Sequence, residues 1–180
     1  MDLRAEPIAT ARLLLEPLRT DHAEPMAAVL ADPALYTRIG GAPPTPADLR
    51  RRYRAMLAGP PDPNEAWLNW IISAPEPAGT VQATVHTTPD TAAPAADPPS
   101  AALAWVVGTP WQGRGLASEA ARAMAAWLAR NGVRYLTAAI APGHLDSERV
   151  ARSCGMAPTA EHQQQERIWR RTAPAARPRW

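Results

Sequence analysis

The chain has 180 residues, 46% of them apolar and 20% charged, which fits one soluble globular domain with a core of its own. A formal charge of +2 is too small to point to a nucleic-acid partner, and a single cysteine, Cys154, rules out an internal disulfide framework or a cysteine-rich metal site. All nineteen cationic side chains are arginine, lysine and phenylalanine are absent and there are 21 prolines, which reads as the codon bias of a GC-rich genome.

"ARLLLEPL" (Ala11 to Leu18) puts Leu13 and Leu15 on one face and reads as a first strand. Asp21 is a candidate cap for a helix to about Leu30, with Pro25 tolerated in its first turn. "TPADLRRRYRAMLAG" is a clearer helix. Thr45 is its N-cap, Pro46 its first residue and Asp48 lies three after the cap; Leu49, Tyr53, Met56 and Leu57 share a face, and Gly59 stops it. "AWLNWIIS" and "GTVQATVH" form an antiparallel hairpin through "APEPAG". The Pro- and Ala-rich segment from Thr87 to Ser100 cannot pair in a sheet and is expected to be a mobile loop, after which "AALAWVV" resumes a strand.

A long helix is expected from about Leu116 to Arg130, with Leu116, Ala120, Met124, Trp127 and Leu128 as its buried stripe and Gly132 at its end. "RYLTAAI" is a further strand, "DSERVARSC" a short helix that stops at Gly155, and "ERIWRR" a last strand. The order β-α-α-β-β-β-α-β-α-β implies an α/β (α+β) domain around one mixed sheet, spanning 1–172, with 173–180 as a flexible tail. No stretch approaches a membrane span, and the start "MDLRAEPIATARL" lacks the apolar run of a secretory signal. A cytoplasmic protein with no membrane partner is expected.

The segment "GTPWQGRGLASEAARAMAAWLARNG" feeds a short glycine turn into that long helix, with Gln112, Gly115 and Ala117 spaced Q-x-x-G-x-A. A helix begins with backbone N–H groups that lack intrahelical partners, and its dipole adds partial positive charge there. Glycines just before it let the backbone approach an anion, so Gly113, Arg114, Gly115, Ala117 and Ser118 form a candidate pyrophosphate site. A purely structural turn is an equally open reading of these residues alone. The G-x-x-x-x-G-K-[ST] loop is impossible without lysine, and G-x-G-x-x-G fails because Ser118 stands at its last position.

With its flanks, "LAWVVGTPWQGRGLASEA" resembles motif A of the GNAT acyl-CoA N-acyltransferase superfamily, and most of all its Rim-type branch, which acetylates ribosomal-protein N-termini and many small amines. The resemblance extends to "TARLLLEPL", "GTVQATV" and "IAPGHLDSERVARSCGMAPT". It implies a single domain with a mixed, mostly antiparallel sheet flanked by helices, in which the strand before the motif splays from the next one. It also implies acetyl-CoA as cosubstrate. Trp105, Val106 and Val107 would then carry the pantetheine contacts, Gln112, Gly113, Arg114, Gly115, Leu116, Ala117 and Ser118 the pyrophosphate, and a backbone N–H near Val106 the oxyanion. The acceptor would be a small-molecule amine or a peptide N-terminus, and a homodimer is a further expectation.

Acyl transfer to an amine needs a neutral nucleophile and a proton for the departing thiolate. Relatives often carry a glutamate base in "AELGW"; here "AALAW" puts Ala102 in its place. His86 and Glu65, at the ends of neighbouring strands, are the replacement candidates for the base, and an acceptor amine of low pKa would need none. Ala151 stands where many relatives have a tyrosine acid, while Ser147 matches a serine that some Rim-type members are thought to use. Ser147 also reads as a helix N-cap or first-turn residue. His144 replaces an asparagine and is a candidate pantetheine contact.

The cluster Arg50, Arg51, Arg52 and Arg54 reads as the wet face of a helix, and Trp67, Trp70, Trp105 and Trp111 as core or cleft lining. Cys154 reads as inert, and the four histidines lack metal-ligand spacing, so no metal is expected. Two rival readings stand beside the N-acetyltransferase: an acyl-CoA-binding protein with weak or no catalysis, and a transferase using a longer acyl-CoA or an aminoacyl-tRNA.

Overall fold

Eight strands and five α-helices follow one another in a computed structural model that describes residues 3–86 and 99–172. The expected loop from Thr87 lies outside the described residues except for its last two positions, as does the tail 173–180. β1 (Ile8–Ala9) and β2 (Leu14–Pro17) lead into α1 (Ala23–Val29), a one-turn α2 (Tyr36–Ile39) and α3 (Pro46–Ala58). β3 (Glu65–Ser73), β4 (Pro77–His86) and β5 (Ser100–Val107) follow, then α4 (Leu116–Arg130), β6 (Tyr135–Ile140), α5 (Leu145–Ser153), β7 (Ala157–Gln163) and β8 (Glu166–Thr172). One sheet holds all eight strands in the order β1-β2-β3-β4-β5-β6-β8-β7, antiparallel throughout except where β5 and β6 run parallel. The architecture is the mixed, mostly antiparallel sheet that the resemblance implies.

Local signals set the helix ends. At α3, the Thr45 hydroxyl accepts the Asp48 N–H at 3.1 Å and the Asp48 carboxylate accepts the Thr45 N–H at 3.2 Å, which closes a capping box. Hydrogen bonds from the Thr45 hydroxyl and Arg51 pull the Asp48 carboxyl down to about 2. Leu49 and Tyr53 are buried as expected, but Leu57 is 52% exposed. The expected start of α1 needs correcting. Thr20–His22 forms a 3₁₀ turn, and the Arg19 N–H donates to His22 Nδ1 at 3.1 Å, so the chain enters α1 through His22 and not through an Asp21 cap.

The sheet separates two cores. On one side α4 packs its stripe of Leu116, Ala120, Met124, Trp127 and Leu128 against Trp70, Val81, Leu103 and Leu136. Trp70 and Trp127 meet edge to face with centroids 5.6 Å apart, and truncating either to Ala is expected to cost about 3–5 kcal/mol. On the other side α1 and α3 bury Met26, Leu49 and Tyr53 over Ile71. β7 was not legible in the sequence. It is polar and mostly exposed, pairs with β8 through a register shift between Pro158 and His162, and has no apolar alternation to betray it. Among the described residues, no helix is long and apolar enough to cross a membrane.

Candidate active site

β5 and β6 are paired only through Ser100–Tyr135, Ala101–Leu136 and Ala102–Thr137. Beyond them β5 continues to Val107 against β4, and β6 to Ile140 against β8, so each strand keeps its outer partner while the two part from one another. Successive residues of a strand direct their backbone groups to opposite sides, so alternate N–H and C=O groups between Leu103 and Val107 face a gap. An extended ligand carrying amides of its own can pair there. A cavity of about 820 Å³ follows the gap and reaches the N-terminus of α4.

The turn before α4 owes its shape to two glycines. Gly113 and Gly115 have φ of 71° and 75°, a region that residues with a Cβ rarely enter. A Cβ at Gly113 would meet nothing within 4 Å, and one at Gly115 only the Arg12 guanidinium at 3.7 Å, so the space in front of the turn is open. Gly115 is the cap residue of α4 and brings no side-chain cap, and the Glu119 N–H makes the first intrahelical bond, to the Gly115 carbonyl at 3.1 Å. The amides of Leu116, Ala117 and Ser118 precede that bond and keep their donors for a ligand. α3 differs here, since Pro46 has no N–H and the Thr45 hydroxyl takes the Asp48 N–H. Gln112 turns its carboxamide inward and donates to the Val107 carbonyl at 2.9 Å, which anchors the turn to the end of β5.

Trp105, Val106 and Val107 line the cavity from β5. Gln112, Gly113, Gly115, Leu116, Ala117 and Ser118 line it from the turn and α4, and His144 and Ser147 from α5. Arg114 is exposed and is not among the lining residues. His144 is the N-cap of α5, its Nδ1 accepting the Ser147 N–H at 3.4 Å, so Ser147 is not the cap. The Ser147 Oγ instead accepts a hydrogen bond from the Trp105 indole at 3.3 Å. Glu65 and His86 face each other across β3 and β4, carboxylate to Nδ1 at 3.3 Å, and neither is among the residues lining the cavity. Cys154 is buried, and burial pushes its thiol up.

A family profile described as an acetyltransferase (GNAT) domain matches residues 12–157. The chain belongs to the GNAT acetyltransferase family. No curated protein sequence matches it. Among solved structures, a Salmonella typhimurium acetyltransferase that modifies the N-terminal serine of ribosomal protein L7/L12 aligns with a TM-score of 0.74 at 15% identity, over 94% of this chain and 100% of that one. RimL, a ribosomal L7/L12 N-acetyltransferase in complex with coenzyme A, aligns at 0.72 and 16%, over 95% and 100%. The microcin C7 self-immunity acetyltransferase MccE, in complex with acetyl-CoA and AMP, aligns at 0.69 and 14%, over 91% and 93%. At these identities the likeness is one of fold.

Within the GNAT fold, the second face of the sheet carries residues that the sequence reading passed over. Register puts Gln82 opposite Ala104, Thr84 opposite Ala102, and Ala102 opposite Thr137, so all of these share one face and line the cavity. Their period of two along "GTVQATVH" was a usable signal. Glu166 and Ile168 also line the cavity, but they sit on the β7–β8 hairpin, which could not be placed without β7. Ala102 is exposed and Ala151 fully buried, and as alanines neither brings an ionisable group to the site. His86, paired with Ser100, lies two residues beyond the Thr84–Ala102 pair on the same face, with its Nδ1 directed to Glu65 on β3.

Proposed function

We propose that this GNAT domain transfers an acetyl group from acetyl-CoA directly to a primary amine of a small molecule or a protein N-terminus. The observation that carries the reading is the gap between β5 and β6 opening onto the uncapped start of α4. A pantetheine arm has amides for the first feature, and a pyrophosphate has charge for the second. RimL in complex with coenzyme A and MccE in complex with acetyl-CoA have the same fold, which supports a CoA thioester as donor.

In this reading the acetyl carbonyl lies near the point where the strands part, beside Ala102 and Ala104. The Glu65 carboxylate draws the proton of His86 to Nδ1 and leaves Nε2 as an acceptor, directly or through water, for the proton of the acceptor amine. The amine nitrogen attacks the carbonyl carbon, the C–S bond breaks, and the departing sulfur takes a proton from the Ser147 hydroxyl, which is restored, through water, by the proton that His86 took from the amine. An amine panel assayed for free-thiol release from acetyl-CoA tests the whole. Turnover on any primary amine supports transfer. Tight CoA binding without turnover would leave an acyl-CoA-binding protein, and turnover with longer acyl-CoA alone would change the donor.

A further inference from the structure

Arg12 lies in the corner between β1 and β2, 102 positions before Arg114 of the glycine turn. Its Nε and Nη2 hold one oxygen of the Glu119 carboxylate at 2.7 and 2.6 Å, and its Nη1 donates to the Arg114 carbonyl at 3.1 Å. The other Glu119 oxygen accepts from the Thr10 hydroxyl at 2.7 Å and from the Arg12 backbone N–H at 3.2 Å. One guanidinium thus spans the turn and the helix that follows it.

A trans peptide carries its C=O and N–H on opposite sides, and no described peptide bond is cis. Drawing the Arg114 carbonyl to Arg12 therefore turns the Gly115 N–H away from Arg12. The orientation needs holding, because the peptide turns about ψ of Arg114 and φ of Gly115, and a glycine at 115 lets that φ change at little steric cost. A flipped peptide would present a carbonyl oxygen to a phosphate. Arg12 also neutralises Glu119, whose carboxylate sits in the first turn of α4, where an anion is to bind. The Arg12 side chain is 53% exposed, so this ion pair adds little to stability and its geometry is what matters.

We infer that Arg12 is a positioning residue for the acyl donor: by gripping the Arg114 carbonyl and the Glu119 carboxylate together, it keeps the Gly115 amide aimed at the pyrophosphate. This rests on the reading of the turn as a pyrophosphate site. The test pairs CoA binding by calorimetry with turnover of S-acetylpantetheine, a donor that has the thioester arm and no phosphate. Arg12→Gln is expected to weaken CoA binding by about tenfold, the loss of one charge-assisted contact, and to leave kcat/KM for S-acetylpantetheine at the wild-type value. Arg12→Lys keeps the ion pair with Glu119, and so the fold, but one ammonium cannot reach both partners; it should lose CoA affinity similarly. Wild-type CoA affinity in both variants, or an equal loss with both donors, overturns the inference while leaving the turn as a pyrophosphate site. Failure of the wild-type protein to bind CoA removes that site and Arg12's role with it.

Discussion

Trp105 and Ser147, 42 positions apart, meet across the gap, the indole N–H donating to the serine oxygen at 3.3 Å. Because the oxygen accepts from the indole, the hydroxyl proton is left to donate elsewhere. A serine hydroxyl is a weaker acid than a thiol, so handing its proton to sulfur runs uphill unless the developing charge on oxygen is stabilised. A hydrogen bond onto that oxygen does this. The same contact ties β5 to α5 over the opening between β5 and β6.

Ser147→Ala should therefore lower kcat by about 10²-fold while changing KM for acetyl-CoA little. Its melting temperature should stay close to wild type, since His144 is the cap and Ser147 is not. Trp105→Phe keeps the ring and removes the donor; a smaller fall in kcat, on the order of tenfold, is expected. Steady-state kinetics beside a thermal melt separates these effects. Full activity in Ser147→Ala would leave water as the proton source.

At Gly115, asparagine tolerates the left-handed backbone and the space is open, so Gly115→Asn should fold and bind CoA with a modest loss. Gly115→Asp adds a carboxylate to the same place. At 4 Å and an effective dielectric near 20, two like charges repel by about 4 kcal/mol, so a loss of about a hundredfold or more is expected. Calorimetry with CoA compares the two, and equal affinities would mean that no anion sits there.

If His86 is the base, His86→Gln should reduce kcat/KM by about 10²-fold. Glu65→Gln should do less, because it orients the imidazole without touching the amine. Glu166→Gln is the control. Should Glu166→Gln lose turnover and His86→Gln keep it, the base is the carboxylate on the cavity wall.

The Thr10 hydroxyl, and after it Arg12, hold the Glu119 carboxyl below its ordinary range. A carboxyl depressed in the folded state adds stability that is complete above its unfolded pKa, about 4.3, and is lost as pH falls through the lower folded value. Wild type should accordingly melt above Glu119→Gln at neutral pH, with the gap closing in acid below about pH 4. A gap that is constant with pH would mean that the charge contributes nothing.

Much of the chain was legible from local chemistry. Thr45, Pro46, Asp48 and Gly59 bracket α3 because capping acts within a few residues, and the stripe from Leu116 to Leu128 marks α4 because helical spacing is local. The turn was legible for the same reason: Gly113 and Gly115 are needed where φ is positive. Tertiary structure alone decided which distant groups meet. Strand register brought Glu65 to His86, the parting of β5 and β6 let Trp105 reach Ser147, and the β1–β2 corner carried Arg12 to Glu119, 107 positions away. These contacts leave no trace in propensity or periodicity, because their partners are chosen by how the sheet is ordered and where its strands stop pairing. The polar strand β7 is the limiting case, held to β8 by backbone bonds, by the two-pronged Glu161–Arg170 ion pair and by the Thr159 hydroxyl on the Ile168 carbonyl, none of which has a periodicity to read.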